Sequence, residues 1–300
     1  MLRPLAALSL AAAVAAAPAG GPLAPGQPKP ASHHHHVHLI HHDDLPAAHL
    51  PAAAWARAEP FPLNATRLLE GSVYSEAQRL NSQYLELLDL GRLLHQFRAF
   101  AGLPTAGARP YGGWESPSYQ WGLLNGHFTG HLLSALAFDA AGTGSKLTAA
   151  KSDTLIAGLA KCQAATAEAR PELAGWLSAY GIDQMDRLDA HNKTRVWAPY
   201  YTLHKIMAGL LDQYEQRGSS QAMDVLRQMA AYLHKRISAL KAAKGEAWWV
   251  YSLDTEFGGM NELGYNLYAH TGDAQHRELG EWFYKAKFMD PLACVVRGSG

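Results

Sequence analysis

From Ser75 onward the apolar residues recur at three- and four-residue steps and nowhere alternate convincingly at period two, which limits the chain to helices. Leu80, Tyr84, Leu87, Leu88, Leu94 and Phe97 follow this spacing. So do Leu203, Ile206, Met207, Leu210, Leu211 and Tyr214, then Leu226, Met229, Leu233, Ile237 and Leu240, then Leu279, Trp282, Phe283, Ala286 and Met289. The pattern predicts an all-α fold with helices over 75–101, 127–141, 146–165, 199–216, 220–240, 260–270 and 274–289.

A loose repeat runs through these helices. "GHFTGHLLSALAFDAAGTGS", "LHKIMAGLLDQYEQRGSS" and "GGMNELGYNLYAHTGDA" each begin with polar residues, continue as an apolar helix and end in a Gly-containing turn before another helix. Each reads as one helical hairpin. Gly142, Gly218 and Gly272 are the expected left-handed helix stops at one end, and the long loops 166–198 and 241–258 lie at the other. Stacked hairpins put every polar helix start on one face. That face collects Trp114, Glu115, His127, His131, Trp197, His204, Lys205, Asn261 and Glu262 as candidate binding residues. Rings for stacking beside hydrogen-bonding groups suit a sugar, whose C–H face and hydroxyls need both.

The 26 basic and 26 acidic side chains balance, so no global charge draws the chain to nucleic acid or an anionic membrane. Hydrophobic residues make up 48% and charged ones 17%, enough apolar material for a large core. Residues 1–19, with Arg3, an apolar run and small residues around Ala15, read as a secretory signal peptide, which implies an extracellular protein free of the membrane after cleavage. The sequons at Asn64 and Asn192 are compatible with that route. Residues 20–62 are rich in Pro, Ala and His without periodicity and predict a disordered leader. Its seven histidines between His33 and His42, with Asp43 and Asp44, suggest metal capture, but a floppy tract holds no fixed ligand geometry, so compositional drift is the preferred reading. Two cysteines, Cys162 and Cys294, exclude a disulfide framework and leave one bridge open.

Three readings attach to His127 and His131, four apart on one helix face: metal ligands, substrate hydrogen bonding, or bonding to loop carbonyls. Phe128 stands where the H-E-x-x-H zinc motif needs Glu, and no third ligand is marked, so no metal is assigned. Glu115 and Glu262 are the carboxylates to weigh for glycoside chemistry, which uses two acids across the scissile bond. The plainer alternatives are an ion pair with an Arg for Glu115 and the positive helix end for Glu262. In "RVWAPYYTLHK", Pro199 suits a first helical turn, and Trp197 or Tyr201 is expected to pack between helices. Asp183, Asp186 and Asp189 read as a solvated loop. There is no G-x-S-x-G elbow, no phosphate-binding glycine loop and no Cys–His pair at a recognised spacing, which argues against nucleotide chemistry.

"LLHQFRAFAGL", "YGGWES", "GHFTGHLLSALA", "WAPYYTLHKIMAGLLDQY", "GGMNELGYNLYAHTGD" and "FMDPLA" together resemble the glycoside hydrolase family typified by β-L-arabinofuranosidases, over about Phe61 to Ala293. The resemblance implies an (α/α)6 toroid whose helix entrances surround a pocket for the terminal L-arabinofuranose of a plant or glycoprotein glycan. It also implies a zinc-held Cys thiolate as nucleophile, a Glu as acid/base and further Glu and Cys ligands, all downstream of the "DPLA" region. The chain has no adjacent Cys pair and no Glu-Thr-Cys triplet, so none of those roles transfers, and Cys294 lies outside any matching motif. At about 30 residues per helix a twelve-helix toroid needs about 370 residues. The expectation is therefore a partial toroid over 63–294 with an irregular tail at 295–300. Zinc belongs to longer family members, catalysis by this chain alone is doubtful, and an oligomer or other partner covers the open flank. The alternatives are a non-catalytic carbohydrate binder or helical-repeat interaction module, and another toroid enzyme such as a polysaccharide lyase or uronyl hydrolase.

Overall fold

The computed structural model describes residues 61–118 and 122–293. The signal segment, the leader up to residue 60, Cys294 and the tail 295–300 lie outside them. Among the described residues the fold is all-helical: α1 (Val73–Leu87), α2 (Leu90–Phe100), α3 (His127–Thr143), α4 (Lys146–Ala169), α5 (Asp183–Asp189), α6 (Pro199–Arg217), α7 (Ser220–Lys244), α8 (Glu246–Ser252), α9 (Met260–Thr271), α10 (Ala274–Trp282) and α11 (Ala286–Ala293). None of them is long and apolar enough to cross a membrane.

The three expected hairpins are α3–α4, α6–α7 and α9–α10. Their turns carry left-handed glycines: Gly144 at φ +76°, Gly218 at +69° and Gly272 at +68°. Gly142 is not the first of these. Helix α3 continues through it to Thr143, and Ser145 then caps α4 by accepting from the Thr148 N–H at 3.3 Å.

Other boundaries differ for local reasons. The predicted helix 75–101 breaks at Leu88, because Asp89 Oδ1 accepts from the backbone of Gly91 (2.7 Å) and Arg92 (3.2 Å) and starts α2 afresh. The predicted helix 274–289 divides into α10 and α11. The two long loops contain α5 and α8. Asp183, Asp186 and Asp189 therefore form a helix, not a solvated loop. Asp189 is buried against Arg236, which also holds Asp186 at 2.6 Å, and the Trp248 indole donates to the Asp189 carbonyl at 3.1 Å.

Helices α3, α6 and α9 lie side by side and parallel, while α4, α7 and α10 return as a second layer. The pairings set the directions. Gly130 of α3 meets Lys205 and Ile206 of α6, and Gly209 meets Leu133. His204 meets Gly258 and Gly259 just before α9, and Glu215 meets His270 at 2.7 Å near the far ends. Across the outer layer Gln163 donates to the Val225 carbonyl (3.1 Å), and His234 pairs with Glu278 (2.7 Å). The core between the layers is Leu133, Leu136, Leu155, Leu159, Ile206 and Leu210, all fully buried.

The α3–α6 contact is unusually close. A Cβ on Gly130 would sit 2.2 Å from the Lys205 carbonyl carbon and oxygen, and one on Gly209 would sit 2.4 Å from the Gly130 oxygen. The buried Gln213 amide closes the seam by donating to Leu133 O (2.7 Å) and Ser152 Oγ (3.0 Å). At the edge of the array α1 buries only Leu85 of its apolar residues. Its Ser82 hydroxyl bonds Asp139 at 2.5 Å, while Val73, Leu80, Tyr84 and Leu87 are exposed. Phe288 and Leu292 on α11 are exposed as well.

Two glycine substitutions separate the roles of two positions on α3. Gly130→Ala is expected to lower unfolding free energy by about 3 kcal/mol, because backbone cannot yield as a side chain does. Gly142→Ala, whose Cβ would meet only the flexible Gln78 amide at 3.7 Å, is expected to stabilise by up to about 1 kcal/mol through helix propensity. Urea denaturation of both variants measures the difference.

Candidate carbohydrate site at the helix entrances

Helix α3 is preceded by Gly126, at φ +102°, which has no side chain to cap the exposed N–H groups. Glu115, on a one-turn helix Gly113–Glu115, supplies the cap from outside. Its Oε2 accepts from the Gly126 N–H (2.7 Å) and its Oε1 from the Phe128 N–H (2.9 Å). The same Oε1 lies 2.9 Å from His127 Nδ1, which is also 2.7 Å from the Leu124 carbonyl oxygen. Both partners of Nδ1 are acceptors, so a proton is assigned to Nδ1, and in that tautomer Nε2 is left as an acceptor.

At the next hairpin Pro199 opens α6, with its carbonyl held by the buried Tyr180 hydroxyl at 2.8 Å. One turn on, His204 is buried against Gly258 and Gly259. A Cβ on Gly258, which has φ +60°, would lie 2.5 Å from His204 Nδ1, so glycine is required there twice over. The Gly259 N–H donates to Nδ1 over a long 3.4 Å, which assigns the proton to Nε2. The two histidines thus hold opposite tautomers: His127 offers an acceptor nitrogen, His204 a donor.

Burial, followed by the charge of Lys205 and by His131, pushes the His204 imidazole down to about 4. Burial, followed by Lys205 and His127, also lowers His131. The Lys205 ammonium lies 5.2 Å from the Tyr201 ring centre. Around these groups the rings form a continuous rim: Trp114 to His127 at 6.0 Å, Trp114 edge-on to Trp197 at 6.3 Å, His127 to His131 at 6.0 Å and His127 to Tyr201 at 6.2 Å. Trp114 keeps 56% of its surface exposed, so its indole is free to receive a ligand.

The helix entrances therefore gather Trp114, His127, His131, Trp197, His204 and Lys205. Glu262, in the first turn of α9, shares the space over Gly259 with His204. Two residues are placed differently from the sequence expectation. Glu115 lies beneath His127 with both oxygens engaged by the start of α3, and it pairs with no Arg. Asn261 turns away and donates to the Gly280 carbonyl at 2.8 Å, in the tight α9–α10 contact. Tyr201 joins the rim, and Tyr200 is the one that packs in the core. The signal for Tyr201 was its position three and four residues before His204 and Lys205, on the same helix face.

The described residues do not suit a zinc–thiolate centre. No three His, Cys, Asp or Glu side chains are grouped as a metal would require. Cys162 is a core residue whose thiol burial pushes up to about 11, far from thiolate character at neutral pH. What the mouth offers is aromatic surface, one imidazole acceptor, one imidazole donor, an ammonium and a carboxylate, a set matched to a ring with several hydroxyls.

His204 gives the mouth a pH signature. Its folded-state value is below the ordinary 6.5, so the unfolded chain binds a proton between pH 6.5 and about 4 that the folded chain does not. Stability from this group is complete above pH 6.5 and is lost as the pH falls toward 4, by as much as about 3 kcal/mol. Denaturation curves across this range are expected to show a steeper acid loss in the parent than in His204→Gln; parallel profiles would contradict it.

A comparison with curated proteins finds no match. The family model for the catalytic domain of β-L-arabinofuranosidase, GH127, matches residues 66–295, which takes in every helix from α1 to α11 and the whole of the mouth. The chain thus belongs to the GH127 β-L-arabinofuranosidase catalytic-domain family, a family of glycoside hydrolases.

Proposed function

We propose that the mouth binds the non-reducing terminal L-arabinofuranose of a β-linked glycan, and that the hairpin array is an arc of an (α/α)6 toroid belonging to a secreted hydrolase. The observation that carries this reading is the pair of oppositely set histidines, His127 and His204, beside the exposed Trp114 in a chain of this family. A sugar hydroxyl donates to His127 Nε2, another accepts from His204 Nε2–H, and the C–H face of the ring lies against the indole. Because His204 stays neutral down to about pH 4, it meets the sugar as a hydrogen-bonding group rather than as a charge. The signal-like residues 1–19 support the secretory route.

Binding and cleavage are separable here. Glycoside hydrolysis needs a nucleophile or base and an acid at the bond. Glu115 is engaged as a helix cap and Cys162 is enclosed in the core, which leaves Glu262 without a second catalytic group beside it among the described residues, so we read the 300-residue chain as a binder with little turnover of its own. The engagement of Glu115 also favours the second reading, a non-catalytic carbohydrate binder.

Titration calorimetry of the 300-residue chain with methyl β-L-arabinofuranoside, alongside an aryl β-L-arabinofuranoside assay with zinc and reductant, tests both parts. Saturable binding is expected, weakened about 10-fold or more in His127→Ala and in His204→Ala, each of which removes one buried hydrogen bond. Absence of binding would overturn the sugar assignment, and robust turnover would overturn the account of the missing nucleophile.

A further inference from the structure

A cavity of about 320 Å3 opens between the C-terminal end of α7, α8 and the α10–α11 turn, and none of the mouth's side chains lines it. Trp282 and Tyr284 are the part-exposed rings of its lining, while Trp249 is almost fully buried: Trp249 Nε1–H donates to the Trp282 carbonyl at 2.6 Å, and His234 stacks on Trp282 at 4.7 Å, so the Trp282 ring is fixed before any ligand arrives. Around these rings stand charges that answer one another. Lys241 is 2.5 Å from Glu246 and lies 5.8 Å from each indole centre, and Lys285 is 3.1 Å from Asp254. Lys285 also donates to the Leu253 carbonyl at 3.1 Å, and Glu281 is held by Arg277 at 3.2 Å.

These features narrow the ligand class. Paired charges leave little net field to select an ion, and a wall of ammonium and carboxylate groups does not suit an acyl chain. Fixed donors and acceptors set around aromatic rings suit a neutral polyhydroxylated ligand. The volume lies at the small end of the range for ligand sites, about 300–1,000 Å3. One loop connects the cavity with the mouth: Leu253 and Asp254 wall the cavity, while Gly258 and Gly259 of the same segment pack on His204. We propose that this cavity is a second carbohydrate subsite, taking neutral pentose units of the glycan whose terminal sugar occupies the mouth. Its link to that glycan rests on the reading above; its existence as a sugar site does not.

The test is 19F NMR on the chain labelled with 5-fluorotryptophan, titrated with the neutral trisaccharide arabinotriose and separately with methyl β-L-arabinofuranoside. Signals are assigned by Trp→Phe substitution at Trp114, Trp197, Trp249 and Trp282. Arabinotriose is expected to shift the Trp249 and Trp282 signals saturably, with a Kd in the millimolar range, and to do so in His127→Ala as well. Lys241→Ala combined with Asp254→Ala removes one partner from each of two surface ion pairs, a change of small structural cost, and is expected to weaken the shift about 10-fold with unchanged circular dichroism. Immobile Trp249 and Trp282 signals at tens of millimolar arabinotriose overturn the subsite. So does an undiminished shift in the double variant, or tighter binding of a glucuronate-bearing trisaccharide. Failure of the mouth reading shows separately, as immobile Trp114 and Trp197 signals.

Discussion

Backbone meets backbone where α3 crosses α6, and the arrangement of the mouth depends on that contact. With no side chain between Gly130 and the Lys205–Ile206 peptide, the two helices cannot slide or separate without leaving a void, and Gln213 ties the seam further down. The register this sets puts the first turn of α3 beside the first turn and a half of α6. His127 and His131 then face Tyr201, His204 and Lys205 because of where the glycines lie, and the chemical side chains do not have to hold themselves together.

The electrostatics follow from the same geometry. Parallel helices bring several N-termini to one end, where partial positive charge accumulates. Burial is the largest cause of the lowered values of His204 and His131, and the Lys205 charge is the next at both. One carboxylate, Glu115, lies where it relieves the α3 terminus, and in doing so fixes the proton of His127 on the nitrogen away from the ligand. A capping interaction and the orientation of a binding residue are one feature here, and a substitution at Glu115 disturbs both.

The features legible in the sequence were those written in short-range pattern. Helical periods located the six helices of the three hairpins, the Gly218 and Gly272 stops were placed correctly, and the polar helix starts pointed to most of the rim. Illegible were the features decided by distant residues or by a single cap. Asp89 breaks what looks like one continuous helix through two short hydrogen bonds. Helices α5 and α8, seven residues each, are too short to display a period, and Asp189 becomes a buried ion only because Arg236 reaches it from α7. Asn261 looked like a mouth residue from its neighbour Glu262, yet one step along a helix turns a side chain by about 100° and sends it to α10. In α1 the apolar stripe was visible, but not that it faces outward.

The central claim is that the helix entrances hold two histidines with their Nδ1 atoms in opposite hydrogen-bonding roles, the donor in His127 and the acceptor in His204. Long-range 1H–15N correlation spectra of the imidazole rings at neutral pH read this directly, with His127→Gln and His204→Gln for assignment. The expected result is an Nδ1–H ring for His127 and an Nε2–H ring for His204. The same tautomer in both, or an imidazolium at His204, would contradict the account.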